Sequence, residues 1–128
     1  MKPFLLTAAL FCFSVNHAQA EGILSISCDI SGEMDGQKVR EIMQSREEVR
    51  DGDASTAVLA QTTIGRFTIR ASTLHIPSPP QLYGDLNIFT TDNERVAHTG
   101  GSDGFLTLYF RDGADFLWVF CDSRTAGR

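Results

Sequence analysis

Two cysteines near opposite ends of the chain place the strongest constraint on its fold. The 128 residues contain Cys12, Cys28 and Cys121. Cys12 lies in an N-terminal segment that we predict to be removed, which leaves Cys28 and Cys121 as the only intramolecular pair in an oxidising compartment. A bridge between them predicts that the first and last strands are neighbours. In the chain-entropy treatment, about 4–5 kcal/mol is the upper value for the stabilisation by a loop of this length, since real bridges often deliver less.

Residues 1–20 have the three parts of a secretory signal peptide. Lys2 supplies the positive charge, and residues 4–15 form an apolar stretch that is too short to span a bilayer. Ala18 and Ala20 form the small-x-small pattern of a cleavage site. We therefore predict cleavage after Ala20 and a single β-rich domain over residues 21–128, located in the periplasm or secreted. An N-terminal anchor that stays attached is the alternative.

The charge of the remaining chain excludes several classes of partner. Without Lys2 it carries 10 basic and 16 acidic residues, a net charge of −6. Nucleic acid and anionic lipid both require a basic surface, so neither is expected to bind. No run after residue 20 is apolar over enough residues to form a transmembrane segment. The oligomeric state cannot be deduced from these features.

Period-two alternation predicts a mainly β domain. Leu24, Ile26, Cys28 and Ile30 alternate with polar residues, so Cys28 is expected to point inward. Similar short patterns follow over residues 58–64, 67–71, 86–90 and 96–99, separated by turn residues. Gly65 is interpreted as a bulge or bend, and residues 77–80, with three prolines, as an extended loop. Strands at this spacing predict a small antiparallel barrel or sandwich, closed by one disulfide.

Residues 37–50 have a mixed pattern. Val39, Ile42, Met43 and Val49 fit the apolar stripe of a helix, and the segment is rich in good helix formers. We therefore expect one short helix over residues 37–50. A charged strand at the edge of a sheet is the alternative.

The C-terminal residues 105–121 predict a β-hairpin. Asp112-Gly113 stands between two apolar runs, which is typical of a two-residue type I′ turn. That turn would place Leu106 opposite Val119. The second face of the hairpin then carries five aromatic residues, here called the aromatic face: Phe105, Tyr109, Phe116, Trp118 and Phe120.

A hairpin that is apolar on both faces must be covered on both or must bind something. The aromatic face is therefore either core, packed under the 37–50 helix or a loop, or a recognition surface for a protein or a glycan. Arg66 and Arg70 are expected to point outward together from one strand, where they are candidate residues for binding an acidic group of a partner. Local ion pairs on a solvated face are the alternative for these two arginines.

No motif identifies an enzyme. His75 and His98 are the candidate general bases, but neither follows a nucleophile motif such as G-x-S-x-G. A zinc site that combines both histidines with Cys28 and Cys121 lacks the usual ligand spacing. No metal or cofactor is expected.

The functional prediction is an exported binding or inhibitor-type protein that recognises another protein or a glycan through a β-surface. A small cell-envelope hydrolase that uses His75 or His98 with a carboxylate is one alternative. A structural subunit of an envelope assembly is another. A buried histidine beside a carboxylate in a pocket would favour the enzyme, and a long unpaired edge strand would favour the subunit.

Overall fold

A computed structural model of the protein describes residues 20–50, 55–77 and 80–127. Apart from Ala20, the predicted signal peptide lies outside these residues. The described residues form eight β-strands, in chain order β1 (Ala20–Met34), β2 (Gln37–Arg50), β3 (Thr56–Ile64), β4 (Phe67–Pro77), β5 (Pro80–Thr90), β6 (Arg95–Gly101), β7 (Phe105–Asp112) and β8 (Asp115–Gly127).

The strands form two four-stranded antiparallel sheets that pack face to face. The first sheet has the order β2-β1-β8-β7 and the second the order β3-β4-β5-β6. Consecutive strands are neighbours within a sheet except at β2–β3 and β6–β7, where the chain passes from one sheet to the other. Because β8 returns to pair with β1, the first and last of the described strands lie in the centre of the first sheet. The predicted mainly β architecture is confirmed.

Alternate residues of each strand fill the space between the sheets. Leu24, Ile26 and Ile30 of β1 are fully buried, as are Ile69 of β4 and Ile88 of β5. This is the period-two burial expected when one face of a sheet is core and the other faces water. The side chains on the outer faces are therefore available for other roles.

The predicted disulfide is present. Cys28 on β1 and Cys121 on β8 are directly opposite each other and are bonded. Both are completely buried in the core. The bridge therefore joins the two central strands of the first sheet, and it is compatible with an oxidising, exported environment.

The predicted helix over residues 37–50 is wrong, because this segment is strand β2. It pairs with β1 along its whole length, starting from a turn at Asp35-Gly36 whose φ angles are 53° and 77°, as in a type I′ turn. Val39 and Met43 point inward at even spacing, whereas Ile42 is 58% exposed. Pairing with β1 thus overrides a helical propensity that is worth only tenths of a kcal/mol per residue.

The C-terminal hairpin forms as predicted but in a register shifted by two residues. Gly113-Ala114 makes the turn, and Leu106 lies opposite Cys121 instead of Val119. Gly113 has a φ of 65°, which suits the first central position of a type II′ turn. A shift of two residues leaves every side chain on its face, so alternation cannot distinguish the two registers.

Two predictions about the connections are corrected. Gly65 is neither a bulge nor a bend within a strand, because it forms a tight turn with Arg66 between β3 and β4. The prolines do not interrupt the sheet as an extended loop: β4 continues to Pro77 and β5 begins at Pro80, directly opposite it. Residues 78–79 lie outside the described residues.

Candidate functional site

The aromatic face lies on the outer side of the first sheet. Phe105 is 54% exposed, Trp118 52%, Tyr109 47% and Phe120 44%, while Phe116 is partly buried. The segment that was expected to cover these rings is β2, which lies in the plane of the same sheet. Among the described residues, therefore, nothing packs over the aromatic face.

The rings pack against one another across β7 and β8. Tyr109 meets Trp118 edge-on, with their centroids 5.6 Å apart, and lies 6.1 Å from Phe116. Phe105 and Phe120 stack at 6.0 Å. Contacts of this kind stabilise aromatic pairs by about 0.5–1.5 kcal/mol beyond their burial. The rings thus pack against one another across the hairpin while part of each remains in water.

Arg111 borders the aromatic face near the hairpin turn. Its Nε donates to Tyr109 Oη at 3.1 Å, and its Nη1 donates to the Gly113 carbonyl at 3.3 Å. Its guanidinium also lies 5.5 Å from the centroid of the Phe116 ring. These contacts hold an arginine, the cation most common at binding hot spots, beside the exposed rings.

The other half of this outer face is polar. Ser25, Ser27 and Ser31 point outward from β1, with Asp29 between them. Asp29 accepts a hydrogen bond from Arg40 Nε on β2 at 3.3 Å. This polar half was not among the predicted site residues. Its signal is the series of short polar side chains at alternate positions of β1, on the side opposite the inward-pointing Cys28.

Arg124 forms an ion pair with Asp122 on β8, at the border between the polar and aromatic halves. Asp122 lies directly opposite Ser27 of β1 and Phe105 of β7. The hydrogen bond and charge of Asp122 raise the pKa of Arg124 above its ordinary value. A charged pair therefore stands beside the exposed rings of β7 and β8.

The structure does not bring Arg66 and Arg70 together. Arg66 lies in the β3–β4 turn, where it donates to Asp112 at 2.9 Å and to Asp115 at 2.8 Å. Arg70 lies on the outer face of the second sheet, where it donates to Gln61 at 2.7 Å. The two guanidinium groups thus have separate partners within the chain and form no common anion site.

The Arg66 contacts link the two sheets at the end that carries the hairpin turns. Hydrogen bonds to Asp112 and then Asp115 raise the pKa of Arg66. The backbone N–H of Asp35 donates to Asp115 at 2.9 Å, and this bond, followed by the Arg66 bond, lowers the pKa of Asp115. The cluster joins three turns, which is a structural role.

The two histidines lie in different surroundings. His98 Nε2 contacts Asp85 Oδ1 at 2.6 Å on the outer face of the second sheet, and both side chains are nearly half exposed. His75 lies on β4 opposite Thr56, and its buried Nδ1 has no hydrogen-bond partner among the described residues. Neither arrangement is a buried histidine beside a carboxylate in a pocket, so the criterion set for the enzyme alternative is not met.

Metal-holding clusters and membrane-spanning helices are both absent from the part of the chain that the structure describes. Across residues 20–50, 55–77 and 80–127, no three His, Cys, Asp or Glu side chains are grouped so that they would hold a metal ion. In the same ranges, no helix has the length and hydropathy that crossing a membrane requires. Comparison of the chain with protein-family models, curated proteins and solved structures found no match. Functional inference therefore depends on the surface itself.

Proposed function

We propose that the protein is an exported binding protein whose recognition surface is the outer face of the first sheet, centred on the aromatic face. Its partner is a protein or a glycan outside the cytoplasm. The proposal assigns binding rather than catalysis, because the surface presents rings, hydroxyl groups and ion pairs but no nucleophile with an adjacent base.

The observation that carries this proposal is the exposure of four aromatic side chains on one face. Phe105, Tyr109, Trp118 and Phe120 are each between 44% and 54% exposed. Single exposed apolar residues are ordinary, but contiguous apolar patches on a soluble chain are usually interaction sites. Rigid rings also supply a large contact area and lose little side-chain entropy on binding.

The position of the face supports the same role. Its strands β7 and β8 adjoin β1, and the Cys28–Cys121 bridge joins β1 to β8 directly beneath the surface. Sites on rigid strands keep their side chains in place better than sites on loops. The bridge and the predicted signal peptide both support a location in the periplasm or outside the cell.

One feature favours the assembly-subunit alternative. β2 is a strand of 14 residues at the edge of the first sheet. However, its outward side chains include Lys38, Arg40 and Arg46, and charged residues of this kind oppose pairing with another strand. The aromatic face therefore remains the better supported site.

Capture of partners from a native extract tests the proposal. Immobilised protein is compared with Trp118→Ala and with the matched control Leu59→Ala. Leu59 is 54% exposed but lies on the outer face of the second sheet. The partner should be retained by the unsubstituted protein and by Leu59→Ala, and at least tenfold less by Trp118→Ala.

The control distinguishes recognition from nonspecific adhesion. Equal capture by all three proteins would contradict the proposal, as would equal losses from Trp118→Ala and Leu59→Ala. Melting temperatures measured on the same samples must be similar, because a loss of capture through unfolding would not report on the surface.

A further inference from the structure

A groove follows β1 across the outer face of the first sheet. Ser25, Ser27 and Ser31 are short, and longer side chains stand beside them on both neighbouring strands. Ser27, for example, lies between Gln44 of β2 and Asp122 of β8. Since neighbouring strands are about 4.8 Å apart, the backbones of β2 and β8 that flank this groove are about 10 Å apart. The groove is therefore one strand wide.

Part of the groove is an open depression of about 300 Å³. Ser25 and Ser27 lie at its floor, Ile42 lines one wall and Phe120 the other. Asp29, Gln44, Asp122 and Arg124 complete its lining. The depression is therefore bounded by β2 on one side and by the aromatic face on the other.

The lining offers two kinds of contact. Serine hydroxyls and the Gln44 amide both donate and accept hydrogen bonds, carboxylates accept, and Arg124 donates. Ile42 and the Phe120 ring provide apolar surface at the same level. A sugar ring presents the complementary pair of surfaces, with hydroxyl groups around its edge and C–H groups on its faces. A purely apolar ligand would leave the polar groups of the groove unpaired.

The charges of the groove favour an uncharged ligand. Asp29 is paired with Arg40 at 3.3 Å, and Asp122 is paired with Arg124. The two carboxylates and two guanidinium groups therefore cancel in net charge. These two pairs therefore give an anionic ligand no net electrostatic attraction.

The apolar surface continues out of the groove. Phe120 lines the depression and also stacks on Phe105 at 6.0 Å. Trp118 lies two residues before Phe120 on the same face of β8, about 7 Å along the strand. A chain of several units that begins in the groove would therefore reach the exposed rings of the aromatic face.

We infer that the recognition surface binds a neutral oligosaccharide, with one or two sugar units in the β1 groove and the following units on the aromatic face. This inference rests on the proposed function and specifies its ligand. A protein partner fits the surface less well, because the centre of a protein interface is depleted of charged residues. Here Asp29, paired with Arg40, lies between Ile42 and Phe120, and the Asp122–Arg124 pair lies next to Phe120 on β8.

The inference is tested with an array of neutral and acidic oligosaccharides probed with the exported protein. Calorimetry with the tightest neutral binder then compares two variants. Ser27→Tyr fills the groove, whereas Ser72→Tyr adds the same ring to the outer face of β4 in the other sheet. Neutral oligosaccharides should bind, Ser27→Tyr should weaken binding at least tenfold, and Ser72→Tyr should bind as the unsubstituted protein does.

A milder variant covers the case in which Ser27→Tyr does not fold. Gln44 is exposed on the edge strand β2 and lines the depression. Gln44→Ala should keep the melting temperature and weaken binding at least threefold. Gln61→Ala, an exposed glutamine on β3 of the other sheet, is its control and should leave binding unchanged.

The outcomes separate this inference from the proposed function. If no neutral oligosaccharide binds, if only acidic ones bind, or if the groove variants leave affinity unchanged, the oligosaccharide inference is overturned. If the unsubstituted protein nevertheless captures a protein partner and Trp118→Ala abolishes that capture, the proposed recognition surface is retained and its ligand is a protein. If Trp118→Ala affects neither kind of partner, both proposals fall.

Discussion

Arg66 in the β3–β4 turn donates from Nη1 to Oδ2 of Asp115, at the start of β8, across 2.8 Å. Arg66 belongs to a turn of the second sheet, whereas Asp115 belongs to the first sheet. Asp115 also accepts a hydrogen bond from the backbone N–H of Asp35 in the β1–β2 turn. One carboxylate thus connects three hairpins at the same end of the molecule.

Stability in acid should depend on this carboxylate. Because the pKa of Asp115 is lowered below its ordinary value of 3.8, its ionised form stabilises the fold above that pH. The contribution is lost as the pH falls through the lowered pKa. Asp115→Asn should therefore lower the melting temperature at pH 7, and the difference from the unsubstituted protein should shrink towards pH 2. Thermal unfolding followed by circular dichroism between pH 2 and pH 7 measures both the loss of melting temperature and its decrease in acid.

The matched control for Asp115 is Asp92→Asn, at an exposed position of the β5–β6 turn. It should leave the melting temperature at pH 7 nearly unchanged. A loss for Asp115→Asn that is equally large at pH 2 and pH 7 would show that the charge does not contribute and would contradict the role of the cluster.

Trp118 should report an environment open to water. It is the only tryptophan and is 52% exposed. Its fluorescence should be red-shifted and readily quenched by acrylamide. Trp118→Ala should change the free energy of unfolding by no more than about 1 kcal/mol. Leu117→Ala, at the adjacent and fully buried position, should cost about 2–5 kcal/mol. A blue-shifted, quencher-resistant emission would place the ring inside and exclude it from a recognition surface.

The disulfide should be complete and stabilising. Mass analysis without reduction should show Cys28 joined to Cys121, with neither thiol open to alkylation. Changing both to alanine should lower the free energy of unfolding by about 2–4 kcal/mol. A double variant as stable as the unsubstituted protein would mean that pairing of β1 with β8 does not depend on the bridge.

Gly32 should not tolerate a side chain. A Cβ atom there would lie 2.0 Å from the backbone carbonyl oxygen of Phe116, which no rotamer change relieves. Gly32→Ala should cost about 2 kcal/mol or more, since β1 and β8 must separate locally. Gly101→Ala is the control, because its nearest contact would be an ordinary 3.5 Å to Leu106. Chemical denaturation of the two variants compares these costs.

Export predicts a defined N-terminus. The intact mass of the protein recovered from outside the cytoplasm should correspond to a chain that begins at Glu21. Recovery of a product that retains residues 1–20 would contradict the predicted cleavage. It would also remove the argument that leaves Cys28 and Cys121 as the only pair.

The residue pattern alone was enough to predict which side chains share a face. In a strand this depends only on whether two positions are separated by an even number of residues. Leu24, Ile26 and Cys28 therefore point inward together, and the five residues of the aromatic face lie together whatever the register. The number and positions of the cysteines similarly predicted that the first and last strands are neighbours. Neither inference requires knowledge of which residues far apart in the sequence are in contact.

What each face contacts depends instead on how the strands pair and how the two sheets pack. Residues 37–50 have comparable local preferences for helix and strand, and pairing with β1 selected the strand. Among the described residues that choice left the aromatic face uncovered, since the element expected to shield it became part of the same sheet. Arg66 likewise donates hydrogen bonds to the carboxylates of Asp112 and Asp115, which belong to the other sheet. Such contacts join residues far apart in the chain, and their energies exceed the local propensities that a sequence displays.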